Sequence, residues 1–282
     1  MAANPVPILK ANGAQMPALG LGTSRMRGGE CAKAVDIAFS VGFRHIDTAV
    51  MYGNETEVGE GLRASGLDRA DAFITTKVLP DDIGDGALQR SAADSLQRLR
   101  LDYVDLLLIH WPNSAIPLAQ SIKALCETKT RGLAKNIGVA NFTMAMLGDA
   151  VRVAGEHGMK IACNQCEYHP RLDQAPLLNL CRDNGVAFVS YYPLAQGRYF
   201  DDPVLVRIAR AHGRTALQVM LRWHMQQKGV AAIPKSSSRA HLMENISIFD
   251  FSLGDADMAD ISALARPGAR MVSPGFGPIW DD

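Results

Sequence analysis

Short apolar runs alternate with longer amphipathic stretches along almost the whole chain. The runs are "ALGLG" (18–22), "FRHID" (43–47), "AFITTKV" (72–78), "VDLLLIH" (104–110), "AKNIGVA" (134–140), "IACNQ" (161–165), "VAFVSYY" (186–192) and "GVAAIP" (229–234). Each has the length and apolar content of a buried strand. Between them lie "GECAKAVDIAFSVG", "ALQRSAADSLQRLR", "AQSIKALCETKTRG" and "APLLNLCRDNG", whose spacing predicts helices. In the second of these, Ser91, Leu96 and Leu99 are assigned to one face and Gln89, Arg90, Asp94 and Arg98 to the other. Gly132 and Gly185 stand where helices would end. Ahead of the series, "VPILKANGAQMPALG" predicts two short strands turning on Asn12-Gly13, a pair that accepts the positive φ angles of a tight hairpin.

Eight runs, each followed by a helical stretch, argue for a parallel sheet with helices outside it. No Pro/Gly/Ser-rich linker divides the series, so residues 1–282 are expected to form one domain. Eight such units point to an α/β fold of the (β/α)8 barrel type, with the hairpin plugging one end. A doubly wound sheet would need a glycine-rich first turn; "GLGTSR" has Arg25 where the third glycine belongs, so the barrel is favoured.

Charge and composition remove several function classes. Lysine plus arginine equals aspartate plus glutamate at 29 each, giving no electrostatic case for nucleic acid or an anionic membrane. No apolar run approaches the ~18 residues of a membrane span. The opening "MAANPVPILKANG" has neither the charged nor the apolar region of an export signal, so a cytoplasmic protein with five reduced cysteines is expected. "CNQC" (163–166) has C-x-x-C spacing, but with no second pair it is read as structural, and no metal is expected.

Candidate chemistry collects at the ends of the strands, where such barrels carry their active sites. In order the ends offer Asp47, Lys77, His110, Asn141, Gln165, Tyr191 and Lys235, with Tyr52 five residues beyond Asp47. Asp47 alone could cap a helix, and Tyr52 alone could pack under its loop. Seven polar residues converging on one mouth are better explained by a site. The sequence has no His-x-His pair, no G-x-S-x-G elbow and no prominent acidic pair, which disfavours a metal site, a serine hydrolase and a glycosidase. Asp47, Tyr52, Lys77 and His110 remain. A free phenol, with a pKa of about 10, is a poor acid at neutral pH. A nearby ammonium would lower that value, and a carboxylate would keep the ammonium charged. A histidine could orient a carbonyl oxygen. Together these groups could protonate the alkoxide formed when hydride reaches a carbonyl carbon. Lys77 as a Schiff-base nucleophile is a weaker reading, because Asp47 would hold it protonated.

The blocks "GFRHIDTAVMYGNE", "TTKV", "LLIHWP", "GVANF", "NQCEYHP" and "IPKS" resemble, in order, the signature segments of the aldo-keto reductases, from about residue 14 to the end. "YYPLAQGR" and "MVSPGFGPIWDD" are most similar to the bacterial 2,5-diketogluconate reductase B type. The resemblance implies a (β/α)8 barrel using NADPH, with NADH as a weaker alternative. It makes Tyr52 the general acid, tuned by Lys77 and Asp47, and gives His110 the orientation of substrate. It places Gly22, Thr23, Asn141, Gln165 and Tyr191 at the cofactor, the last stacked on the nicotinamide. Lys235, Ser236 and Ser237 match the 2′-phosphate cluster and Asn245 the adenine contact. His241 stands where an arginine is common, with Arg239 two residues earlier. Ala140 and Tyr192 each replace a usual serine. Ser24, Trp111 and Trp280 are expected at the substrate pocket, with Phe276 and Ile279 reaching toward it. The implied substrates are small aldehydes, keto-aldehydes or keto-sugar acids, handled by a monomer. The alternative is an NADPH-binding regulatory or sensor protein on the same barrel.

Overall fold

The computed structural model describes residues 5–281; the first four residues of the opening segment, and Asp282, lie outside the described residues. A hairpin comes first, β1 (Ile8–Ala11) against β2 (Ala14–Pro17), with Asn12 and Gly13 at φ 45° and 94°. Eight parallel strands follow: β3 (Leu21–Gly22), β4 (His45–Asp47), β5 (Phe73–Val78), β6 (Val104–Ile109), β7 (Ala134–Ala140), β8 (Ile161–Glu167), β9 (Ala187–Tyr191) and β10 (Val230–Ala232). The helices are α1 (Gly28–Val41), α2 (Glu55–Ala64), α3 (Ala87–Leu99), α4 (Leu118–Thr130), α5 (Met144–Glu156), α6 (Ala175–Asp183), α7 (Pro203–His212), α8 (Ala216–Met225), α9 (Arg239–Ile246) and α10 (Asp255–Ser262).

Strand order in the sheet is chain order from β3 to β10, without the reversal of a doubly wound sheet. The two ends of the sheet also meet. Leu19 bridges Ala232, Gly20 N–H donates to Ala232 O at 2.9 Å, and Gly22 N–H donates to Pro234 O at 3.0 Å. The molecule is an eight-stranded parallel sheet curled onto itself, consistent with the (β/α)8 architecture. Ala11, Ala14 and Met16 of the hairpin are buried with Phe73, Leu106, Ala162, Ala187 and Ala231 in the cluster inside the sheet. Asn12 donates from Nδ2 to Ile161 O and Asn184 O, which sets the hairpin at the N-terminal ends of the strands. The opposite rim is left for the C-terminal strand ends.

Three expectations change in detail. The run "IACNQ" continues to Glu167, because Cys166 and Glu167 stay paired with Ser190 and Tyr191. Cys163 and Cys166 therefore both lie within β8. Three residues apart on a strand, they face opposite sides and enter different core clusters. On α3, Gln89 is buried instead of exposed, donating to Asp85 Oδ1 at 3.1 Å and Glu127 Oε2 at 2.9 Å, while Ser91 is only half-buried. The buried stripe of α3 is Leu88, Ala92, Ser95, Leu96 and Leu99, and Gln89 sits at its edge where Glu127 of α4 covers it. The helix ends at Gly132 and Gly185 fall as expected, with φ 75° and 66°.

Candidate active site

A cavity of about 540 Å³ opens at the C-terminal rim of the sheet. Of the seven strand-end residues, Asp47, His110, Asn141, Gln165, Tyr191 and Lys235 line it, joined by Tyr52. Lys77 is fully buried behind them.

The loop after β4 is held by buried Asn54, which donates from Nδ2 to Thr23 O and Met26 O and accepts at Oδ1 from Thr48. A single turn, Val50–Tyr52, then carries the phenol back over the strand ends. Asp47 caps no helix. Its carboxylate accepts from Lys77 Nζ at Oδ1 and from Gln165 Nε2 at Oδ2, the latter at 2.8 Å. Lys77 Nζ also donates to Thr48 O at 2.9 Å and lies 3.5 Å from Tyr52 Oη. His110 is buried edge-on to the Tyr52 ring, centroids 5.5 Å apart, and its Nδ1 has no partner among the described residues.

The electrostatics differ from the expectation in one respect. Burial is the largest influence on Tyr52 and raises its pKa above the ordinary phenol value; the Lys77 ammonium pulls it back only in part, while Asp47 adds to the rise. The phenol is thus not lowered on balance. Burial also pushes Lys77 down, but Asp47 and Tyr52 together outweigh it and hold the ammonium above its usual value. His110 falls well below the ordinary imidazole value through burial and the Lys77 charge, so its ring is neutral at pH 7. The floor of the cavity thus presents a protonated phenol, a fixed ammonium behind it and a neutral imidazole beside it.

The other expected residues fall into three groups. Asn141, at φ 63°, donates from Nδ2 to His110 O at 2.9 Å and accepts at Oδ1 from Tyr191 Oη at 2.7 Å. Gly22 also lines the cavity, and a Cβ there would meet Ile233 O at 2.8 Å, so no larger residue fits. Thr23 does not line the cavity: it is buried, and its N–H and Oγ1 both donate to Asp47 O, bracing the end of β4. The second group follows β10. Lys235 and Ser237 are exposed, and Ser236 Oγ accepts from Ser238 N–H just before α9. Arg239 and His241 lie exposed in the first turn of α9, and Arg239 donates to Ser40 Oγ at 3.1 Å. Asn245 is buried on the same helix with its Oδ1 unpartnered among the described residues.

The third group is the substrate wall. Ser24, Trp111 and Phe276 line the cavity. Trp280 does not: it packs edge-on behind Trp111 at 6.0 Å, under the Arg270 guanidinium at 3.7 Å, and faces a neighbouring cavity of about 130 Å³. Ile279 is 96% exposed and forms no wall. Arg25, Met51, Gln196, Val272 and Pro274 also line the cavity, and the sequence did not single them out for it. They lie in loops or, for Met51 and Gln196, in single 3-10 turns, too short for a periodic pattern to show which side chains face inward. Among the described residues no group of three or more His, Cys, Asp or Glu side chains is placed to hold a metal.

The chain is similar to known proteins over nearly its whole length. The family model for the aldo/keto reductase family matches residues 18–266. The methylglyoxal reductase DkgB of Yersinia pestis is 39% identical over 269 residues, covering 94% of this chain and 99% of that protein. A crystal structure provisionally named 2,5-diketo-D-gluconic acid reductase B is 46% identical with a TM-score of 0.95, covering 98% of both chains. A Bombyx mori aldo-keto reductase in complex with NADP is 30% identical with a TM-score of 0.85, covering 93% of this chain and 94% of that one. The chain belongs to the aldo/keto reductase family and is an NAD(P)H-dependent oxidoreductase.

Proposed function

We propose that this enzyme reduces the carbonyl group of small aldehydes, keto-aldehydes or keto-sugar acids, with Tyr52 as the general acid. The observation that carries the reading is the wholly buried Lys77 ammonium, bonded to Asp47 and 3.5 Å from Tyr52 Oη at the floor of the cavity. Bound NADPH supplies the hydride to the carbonyl carbon. The rest of the work belongs to the chain. His110, neutral and facing the cavity, offers its imidazole N–H to the carbonyl oxygen and orients it. Tyr52 donates its phenolic proton to the same oxygen as negative charge develops there. Its raised pKa keeps that proton in place until it is needed, and Lys77 stabilises the phenolate left behind. Asp47 holds Lys77 charged and in position. A protein that only bound the dinucleotide would have no use for a buried ammonium aimed at a phenol.

The residues present fit NADPH. Asn141 and Gln165 would hold the carboxamide, and Tyr191 would stack on the nicotinamide beside Gly22, with Thr23 bracing that wall. Lys235, Ser236 and Ser237 would hold the 2′-phosphate at the N-terminal end of α9, with His241 and Arg239 beside them. The unpartnered Oδ1 of buried Asn245 suits the adenine amine. Residues 1–282 act as one domain in this reading, with the hairpin closing the end of the barrel away from the site.

Loss of NADPH absorbance with methylglyoxal and a panel of aldehydes and keto acids tests the activity, with NADH run in parallel. Tyr52→Phe is expected to abolish turnover while NADPH still binds with wild-type affinity. A mutant retaining more than a few per cent of the rate removes Tyr52 from the acid role.

A further inference from the structure

The C-terminal segment after α10 contributes Val272, Pro274 and Phe276 to the cavity wall, yet residues 265–281 include no helix or strand of their own. Something else must hold that wall. At one end, Glu167 closes β8 on the same strand face as Gln165, two residues earlier. Its carboxylate is fully buried and accepts from Met271 N–H at 2.7 Å on Oε1 and from Val272 N–H at 2.8 Å on Oε2. His169 Nε2 lies 3.1 Å from the same Oε1, and Gln174 Nε2 donates to Glu167 O, fixing the residue from behind. At the other end, Asp281 Oδ2 accepts from Met144 N–H at 2.7 Å, in the first turn of α5 where a carboxylate is favoured by the helix dipole. Between the two carboxylates, Phe276 packs edge-on against Trp111 with ring centroids 5.7 Å apart.

We propose that Glu167 is a specificity-determining positioning residue: it latches the C-terminal strap by two backbone N–H groups and so sets where Phe276 and Pro274 stand in the substrate cavity, with Asp281 as the second latch. The proposal rests on the carbonyl-reductase reading for its kinetic consequence, but not for its structural one. Glu167 is paired with Tyr191 along the β8–β9 backbone, but the hydrogen bonds of its carboxylate go to Met271, Val272 and His169, and not to the Tyr52 group or to the residues assigned to cofactor. Its effect should therefore fall on substrates large enough to reach the wall. A three-carbon keto-aldehyde held at Tyr52 and His110 is too short to lean on the strap and needs no wall. An aromatic aldehyde would lie against Phe276 and Trp111.

Glu167→Gln keeps the shape but replaces one carboxylate oxygen with an NH2 group, so one strap amide loses its acceptor and faces a donor instead. Amide exchange at residues 271 and 272 should accelerate by about tenfold or more, the scale of one lost hydrogen bond to a charged group. The ratio of kcat/KM for 4-nitrobenzaldehyde to that for methylglyoxal should fall by about tenfold, on the same scale. The fall should come mainly through KM, with methylglyoxal kcat and NADPH affinity within about twofold of wild type. In a Phe276→Ala background the same substitution should no longer change the ratio, since the wall it positions is gone. Unchanged exchange at 271 and 272 overturns the latch; faster exchange with an unchanged ratio overturns its role in specificity. If Glu167→Gln does not fold, Asp281→Ala at the exposed end carries the same test, and an unaltered ratio there sinks the strap. Absence of NADPH oxidation by the wild type with either aldehyde counts against the reductase reading, while the exchange data still decide the latch.

Discussion

Replacing Lys77 with methionine separates the electrostatic role of the ammonium from its place in the packing. The side chains have similar length, and the site is fully buried, so little water fills the difference. Two unit charges 3.5 Å apart, the distance from Nζ to Tyr52 Oη, attract by roughly 5 kcal/mol at an effective dielectric near 20. With the proton about half transferred in the transition state, roughly half of that is felt in the rate, or about 50-fold. The Asp47 carboxylate, left without its cation beside the developing phenolate, adds to the loss. The expected fall in kcat/KM for reduction is at least ~100-fold. The pH signature is distinct. Lys77 is the influence that lowers the Tyr52 pKa against burial, so its removal pushes the phenol higher still. Alcohol oxidation with NADP+ needs the phenolate and rises with pH through that pKa, so its alkaline limb should move to higher pH. Because an unpaired buried carboxylate destabilises folding by about 3 kcal/mol or more, Asp47→Asn/Lys77→Met serves as the folded control. Steady-state rates from pH 6 to 10, with NADPH affinity from fluorescence titration, make the assay. A fall of less than about tenfold, or an oxidation limb that stays in place, refutes the tuning argument.

Other outcomes follow from the same geometry. Burial lowers His45 and His224 to about 4, with His110 also well below its ordinary value, so the unfolded chain takes up more protons than the folded one between pH 6.5 and 4. Stability should fall as pH drops through that window, by up to about 3 kcal/mol for each of His45 and His224, and a urea-unfolding free energy that is flat from pH 7 to 5 contradicts it. Burial raises the thiols, Cys126 to about 11 and Cys31 and Cys166 to about 12, and every cysteine is buried, so iodoacetamide at pH 7.5 should leave most activity. Inactivation that tracks labelling of Cys163 or Cys166 and is blocked by NADPH would overturn that expectation. His241→Arg should tighten NADPH by ~1 kcal/mol, one charge-assisted hydrogen bond, and leave NADH unchanged. Arg239, directed at Ser40, should lose little when replaced by alanine, and a large loss of NADPH affinity in Arg239→Ala assigns the phosphate to it instead.

Much of this protein was legible in local pattern. Alternating strand and helix periods predicted the eight-stranded parallel sheet, and Asn12-Gly13 predicted the hairpin, because strand length, pleat and turn angles depend on neighbours within a few residues. The same locality placed polar residues at strand ends, and a parallel sheet brings all such ends to one rim, so six of the seven reached the cavity. What local pattern could not decide is what surrounds each side chain. Gln89 was assigned to a polar face and is buried because Glu127, 38 positions away, covers it. Tyr52 was expected below the ordinary phenol value and stands above it, because desolvation is set by the whole barrel mouth and outweighs one ammonium. Trp280 was placed in the pocket and lies behind Trp111, since a tail without periodicity carries no signal of which ring faces inward. Lys77 meets Asp47 across 30 positions, and Glu167 meets Met271 across 104. Sequence by itself determined which residues stand at the rim; tertiary structure decided which are buried together, because desolvation and charge pairing act through space and not along the chain.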